Sequence, residues 1–329
     1  MDTVRLQRLS RAYMESAVLM AAVELGLFTR VARGADTEAR LAEALGLTPT
    51  NAERLVTGCV ALGLLERVGE RVRNAPDVDR FLVEDAPGYA GPWMLFTKPS
   101  WAEWGRLAQH LARTDPPAVL GKYVGFTVED ARRYHAATYS IGMGAGRRFV
   151  RQVDLARRRH LLDLGGGSGC YCIAACQAHP HLSATVFDLP PVAEIAREFI
   201  ASHGLGARIA AQGGDFTRDR LPSGADVVIM ASNLPQYSRE IIQRVVATAH
   251  DALLPGGEMH LIGEMLDAAR TGPLDPALWG LNEALAGSTG VAHSVTECVG
   301  YLERAGFTGV AAHEFVPGVL TRVTGTKPG

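Results

Sequence analysis

The sequence predicts an α/β protein in which a mostly helical N-terminal domain precedes a parallel sheet that ends in an antiparallel hairpin. Three observations carry this. From residue 160 onward, short apolar runs alternate with helical patterns, as in parallel strands joined by crossover helices. The chain finishes with VAAHEFV and VLTRVTGT around a Pro-Gly pair, a hairpin signal. The first hundred residues carry capped helix patterns followed by two short strand-like runs about Gly69. The expected domains are 1–110 and 111–329.

Taken in order, SAVLMAAVELGLF is apolar almost all round, which requires burial in a core or an interface. TEARLAEALGL and TPTNAERLVTGCVALGLL read as helices capped by Thr37 and by Thr48 or Thr50. LLERVGERVRNA supplies two strands, completing a winged-helix outline. Residues 99–117 read as an amphipathic helix stopped by a proline pair, and 128–153 as one connecting helix. Then come strand and glycine loop HLLDLGGGSG, helix CYCIAACQAH, strand SATVFDLP, helix PVAEIAREFIASHG and strand ARIAAQGGDF. Strand ADVVIMASN, helix 239–254, strand GEMHLIGEML and helix VTECVGYLERAG lead to the hairpin.

Composition narrows the function. The 329 residues are 47% hydrophobic and 21% charged, with a formal net charge of −2, so nothing draws the chain to nucleic acid or anionic membrane. Residues 1–110 hold 13 basic and 14 acidic residues, whereas a groove reader needs a basic face. The winged helix therefore reads as a dimerisation platform, with a nucleoside-sensing DNA regulator as the alternative from another class. No apolar run reaches bilayer length and no cleavage pattern follows the first helix, so a cytoplasmic protein is expected. Cys170, Cys172 and Cys176 lack the paired spacing of a metal site and read as packing residues; no metal is expected.

The chemistry lies at strand ends. DLGGGSG (163–169) lets backbone approach a ligand closely at a helix N-terminus. Its GxGxG spacing, Gly165, Gly167 and Gly169 with cysteine at 170, suits a turn around a nucleoside better than a pyrophosphate cradle. Asp188 ends the next strand, where a carboxylate can hold a ribose diol, or else serves as a turn aspartate before Pro190. Asp215 and Phe216 end the third, where acid and ring suit an adenine, or else form a turn and a core contact.

LLDLGGGSG, VFDLP, GGDF and LLPGG, in that order, resemble the class I S-adenosylmethionine-dependent methyltransferases. With the N-terminal winged helix, nearly the whole chain resembles the caffeate and acetylserotonin type of small-molecule O-methyltransferase and its bacterial natural-product relatives. The resemblance implies a Rossmann-like sheet, S-adenosylmethionine as cofactor, a small-molecule acceptor and a homodimer joined by the N-terminal helices. It places Asp163, the glycine loop, Asp188, Leu189, Asp215 and Phe216 at the cofactor.

The resemblance breaks at NLPQYSRE. Where the family has leucine, histidine, aspartate and tryptophan, this chain has Leu234, Pro235, Gln236 and Tyr237, so the histidine base is missing. Glu264 matches a glutamate that supports the base in plant members, and His293 stands where the family often has arginine. His135, on the connecting helix, and His293 are each placed either in the pocket or at the surface. Tyr237 either donates to or stacks on a substrate, or packs. His260 lies about four residues, at roughly 3.3 Å each, below the strand end and reads as core. Asn233, Gln236 and Tyr237 are the expected substrate-positioning residues. The expected reaction is methyl transfer to oxygen by proximity and orientation. The alternatives are carbon methylation of an enolisable substrate, or cofactor binding without transfer, as in hydroxylase-like or pericyclase-like relatives.

Overall fold

The computed structural model describes residues 2–329. The chain divides into two compact units, one running to Trp101 and the other starting at Ala102.

In the first unit, Thr37 and Thr48 start helices Glu38–Leu45 and Pro49–Ala61 by accepting hydrogen bonds from the backbone N–H groups of Arg40 and Asn51. Thr48, not Thr50, is the cap, because Pro49 occupies the first helical position, where a missing N–H costs nothing. β1 (Leu65–Val68) and β2 (Arg71–Asn74) pair antiparallel around Gly69. Leu27, Phe28, Leu41, Val56, Cys59 and Leu65 form the core.

The apolar stretch 16–28 is not one helix. Helix Val4–Glu24 ends within it, and Gly26, at φ 68°, opens a second helix, Leu27–Ala32. A left-handed residue cannot continue a right-handed helix. Ala22, Val23, Leu27 and Phe28 are buried in the unit's own core, whereas Val4, Leu6, Leu9, Tyr13 and Met14, earlier on the first helix, are exposed. The single helix expected over 99–117 is also broken, into Trp101–Trp104 and Leu107–Leu111. Gly105 stands at the break and has the most backbone entropy to lose in a helix.

The second unit holds β3 (His160–Leu164), β4 (Ser183–Asp188), β5 (Ile209–Gly213), β6 (Ala225–Ala231), β7 (Leu253–Gly263), β8 (Thr308–Val316) and β9 (Leu320–Thr326). They form one sheet in the order β5-β4-β3-β6-β7-β9-β8. The pairings from β5 to β7 are parallel, and β9 runs antiparallel to both β7 and β8. The helix expected over 239–254 stops at Ala252, since the residue before Pro255 is pushed toward extended backbone. The connecting helix is Val128–Gln152, started by a capping box between Thr127 and Asp130.

Strand alternation builds both faces of this sheet. Leu162, Leu164, Val228, Met230, Met259 and Leu261 pack with helices Arg239–Ala252 and Val295–Arg304. Leu161, Val227, Ile229 and Ile262 pack on the other side with Val128–Gln152, Cys170–Ala178 and Pro190–Ser202. Each such buried aliphatic side chain contributes about 1.5–3 kcal/mol. All five cysteines are free and buried. Among the described residues no helix is long and apolar enough to cross a membrane. β4 lies on one side of β3 and β6 on the other, so the loops after β3 and β6 part and open a crevice at the carboxyl ends of the strands.

Candidate functional site

The glycine loop after β3 lines this crevice. Gly165, Gly167 and Gly169 have φ of 65°, 57° and 77°, conformations that side-chain-bearing residues rarely adopt. Space enforces the choice. A Cβ on Gly165 would stand 2.3 Å from Asn233 Nδ2, and one on Gly167 would stand 2.6 Å from His135 Cε1. Asp188 ends β4 beside the loop. Its Oδ2 accepts from Gly167 N at 2.9 Å and its Oδ1 from Leu189 N at 2.7 Å. Desolvation pushes this half-buried carboxyl up to about 6, against the pull of those two donors. Asp163 lies beneath, 1% exposed, and a Cβ on Gly166 would stand 2.6 Å from its Cγ. Burial, reinforced by the charge of Asp188, pushes its carboxyl up to about 7.

Phe216, after β5, reaches the loop from the other side, its Cε1 being 3.0 Å from where a Gly165 Cβ would stand. Asp215 is buried, and its carboxylate closes its own turn. Oδ1 accepts from the backbone N and the hydroxyl of Thr217, and Oδ2 pairs with Arg218 at 3.2 Å. The acid expected to meet an amine therefore already serves as a turn residue. Asn233, after β6, is also committed, because its amide donates to Leu164 O at 2.8 Å and ties the two loops together. Pro235 sits in a single 3₁₀ turn, Leu234–Gln236. Gln236 is half-buried, and its amide is 3.5 Å from Ser232 O, at the limit of a hydrogen bond. Tyr237 is buried with its ring edge-on to Phe216 at 5.3 Å. Its hydroxyl has no hydrogen-bond partner among the described residues. Burial, then the nearby carboxylates, push that hydroxyl's pKa up, which keeps it a donor.

The histidines separate. His135 is 8% exposed, its ring against Gly167, and burial holds its pKa down at about 4. It belongs to the crevice. His293 belongs to neither the crevice nor the surface. It is fully buried, with Nδ1 2.9 Å from Tyr301 Oη and Nε2 3.0 Å from Tyr237 O. A carbonyl can only accept, so Nε2 carries the proton, Nδ1 accepts from Tyr301, and no lone pair remains for an acceptor. The expectation that His293 could replace the base is thereby corrected. Glu264, at the end of β7, is half-buried with its carboxyl raised by desolvation, but Pro235 gives it no base to support. His260 is a core residue, hydrogen-bonded to Arg322 at 3.2 Å and edge-on to Phe149.

Sequence reasoning missed several residues. Gly290 packs so closely that a Cβ there would stand 2.2 Å from Pro235 O. Glu283 is buried and accepts from Ser288 Oγ at 2.6 Å. Tyr123, Phe126 and Tyr134 form an edge-to-face cluster, with Lys122 over two of its rings. Apart from Tyr134, on the connecting helix, these groups come from loops and short turns with no period to read; the aromatic spacing of Tyr123, Phe126 and Tyr134 was the one visible signal.

Comparison with known proteins adds a lineage to this geometry. Residues 126–308 match the model of an O-methyltransferase domain, and residues 7–84 that of an O-methyltransferase dimerisation domain. The chain is 34% identical to the 3-hydroxy-5-methyl-1-naphthoate 3-O-methyltransferase of Streptomyces sahachiroi, over 97% of this chain and 94% of that one. It is 34% identical to the tetracenomycin polyketide synthesis 8-O-methyl transferase TcmO of Streptomyces glaucescens, over 98% and 96%. The crystal structure of human N-acetylserotonin methyltransferase in complex with S-adenosylmethionine superposes with a TM-score of 0.82 at 25% identity, covering 98% of this chain and 97% of that one.

Proposed function

The chain belongs to the O-methyltransferase family, and on that premise we propose that it transfers a methyl group from S-adenosylmethionine to an oxygen of a small natural-product acceptor without a histidine base. The observation that carries the reading is the 2.9 Å hydrogen bond between Gly167 N and Asp188 Oδ2, which sets a carboxylate against a bare glycine loop. The residues fit the cofactor. Bare glycine backbone at Gly165 and Gly167 lets Asn233, Phe216 and His135 close in around the loop, Asp188 and Leu189 would hold a ribose, and Phe216 would offer a ring to an adenine. Asp163 supports the loop from below, and Asp215 fixes the turn that carries Phe216.

When bound, S-adenosylmethionine supplies a methyl carbon that is already strongly electrophilic. The chain's part is then to bind, orient and exclude water. Holding a nucleophile in line is worth roughly 7–11 kcal/mol, whereas a general base adds about 10²–10⁴-fold. Tyr237 keeps its proton and can donate to the acceptor, Gln236 has a second amide N–H beyond its long contact to Ser232 O for the same use, and Asn233 fixes their loop. Pro235 contributes no titratable group. An acceptor that ionises by itself needs none.

The names of the two streptomycete relatives point to aromatic polyketide-type acceptors as the class to test first. Two copies pair through the N-terminal unit. The match to a dimerisation domain and the exposed Val4, Leu6, Leu9, Tyr13 and Met14 support this, and light scattering returning a monomer mass would refute it. The test of function is incubation with methyl-labelled cofactor and a panel of phenols and hydroxynaphthalenes. Labelled methyl ether and S-adenosylhomocysteine should appear in equal amounts. Label on carbon, or neither product, would contradict oxygen transfer.

A further inference from the structure

We propose that Lys122 is the group that recognises an anionic oxygen on the aromatic acceptor, so that the enzyme selects planar aromatic anions over their neutral counterparts; this rests on the function proposed above.

The segment carrying Lys122 is fastened to the loop opposite. Ala118 N donates to Gly287 O at 2.9 Å, and Thr289 N donates to Ala118 O at 3.2 Å. Gly121, at φ 47°, leaves no room for a side chain, since a Cβ would stand 2.5 Å from Ser288 Cβ. Ser288 in turn donates to Glu283, and Gly290 lies against the carbonyl of Pro235. The other side of Lys122 leads to the glycine loop. Its Nζ stands 4.9 Å over the ring of Tyr134 and 5.1 Å over that of Tyr123, and Tyr134 is followed by His135, which touches Gly167. Lys122 is thus placed between the loop of 233–237 and the glycine loop, among the rings that would wall a flat acceptor.

Its partners are what set it apart. The chain has three lysines. Lys98 pairs with Glu24, and Lys327 donates to the carbonyls of His250 and Leu253. Among the described residues Lys122 makes no hydrogen bond and no ion pair. It rests on aromatic faces only, which hold a cation while leaving its N–H donors free. Glu283 is not its ion-pair partner: burial raises that carboxyl's pKa against the pull of the Lys122 charge, and the carboxyl accepts its hydrogen bond from Ser288. A cation over edge-to-face rings, with donors unspent, matches an aryl carboxylate or a phenolate. Of the two, the phenolate would also suit a loop that lacks a base, because its acceptor oxygen is already ionised.

The test is calorimetry on the protein saturated with S-adenosylhomocysteine, with three probes: 3-hydroxy-2-naphthoate, its methyl ester, and 4-nitrophenolate. Wild type should bind the naphthoate more tightly than the ester. Lys122→Gln should weaken the naphthoate about 10-fold, as loss of a charge-assisted contact does, while leaving the ester nearly unchanged. Lys122→Arg should restore most of the loss. If nitrophenolate weakens as well, Lys122 reads phenolates too; if it does not, a carboxylate is what it reads. Equal changes for acid and ester, no change for either, or no binding of any probe would overturn the proposal. Failure of S-adenosylhomocysteine itself to bind would instead overturn the function on which it rests. Lys122 is exposed, and unchanged S-adenosylhomocysteine affinity in each variant shows that the fold is kept.

Discussion

His293 donates a 3.0 Å hydrogen bond from Nε2 to the backbone carbonyl of Tyr237, so the residue that looked like a displaced base pins the end of the 233–237 loop. Replacing it with alanine should cost about 2–4 kcal/mol, since a carbonyl and the Tyr301 hydroxyl lose their partner beside a new cavity. His293→Gln, which can still donate, should cost less. Denaturant unfolding measures this, and the pH at which activity rises should be the same in both variants and wild type.

Asp188 should make cofactor binding pH-dependent. Its carboxyl is raised to about 6 in the unliganded protein, and a carboxylate is the better partner for a diol. Affinity for S-adenosylhomocysteine should therefore fall as pH drops through 6, and the slope should vanish in Asp188→Asn. Asp188→Ala should lose about 1–3 kcal/mol of binding at pH 8. Calorimetry across pH checks both.

Gly167 and His135 compete for one space. Gly167→Ala should destabilise the fold by roughly 1–3 kcal/mol through a left-handed alanine and a clash with the imidazole. Adding His135→Ala removes the clash but not the backbone strain, so the double variant should be less unstable than the two single losses added together. Strict additivity in thermal unfolding would mean that the contact carries nothing.

How much of this was legible depended on whether backbone pattern or tertiary placement decides a residue's role. The strands and their terminal residues, from Gly165 to Asp188 and Phe216, follow from apolar runs that end in glycine or acid. Broken helices were not legible at Gly26 and Gly105, where a single flexible residue interrupts an otherwise helical pattern. The His293 pairing, Lys122 and Glu283 were also out of reach. Their segments are set by long-range backbone bonds such as Ala118 to Gly287, which leave no period in the sequence.

Asp163 should shape stability against pH. Its folded pKa is raised to about 7, above its unfolded value near 3.9. The stability it contributes is therefore fully present below about pH 4 and lost as pH rises through 7. Asp163→Asn should flatten that part of the profile and be the more stable form at pH 8. Chemical denaturation of the cofactor-free protein from pH 5 to 8 measures it, and parallel profiles would show that the carboxyl is not protonated in the fold.

The absence of a histidine base is tested most directly by the pH dependence of kcat/KM for a series of phenols of graded acidity. The rising limb should move with the acceptor's own ionisation, because Pro235 cannot titrate, His293 has no free lone pair and His135 is held at about 4. His135→Gln should leave the position of that limb unchanged. A limb fixed at one pH for every acceptor, and abolished in His135→Gln, would make His135 the base and contradict the account.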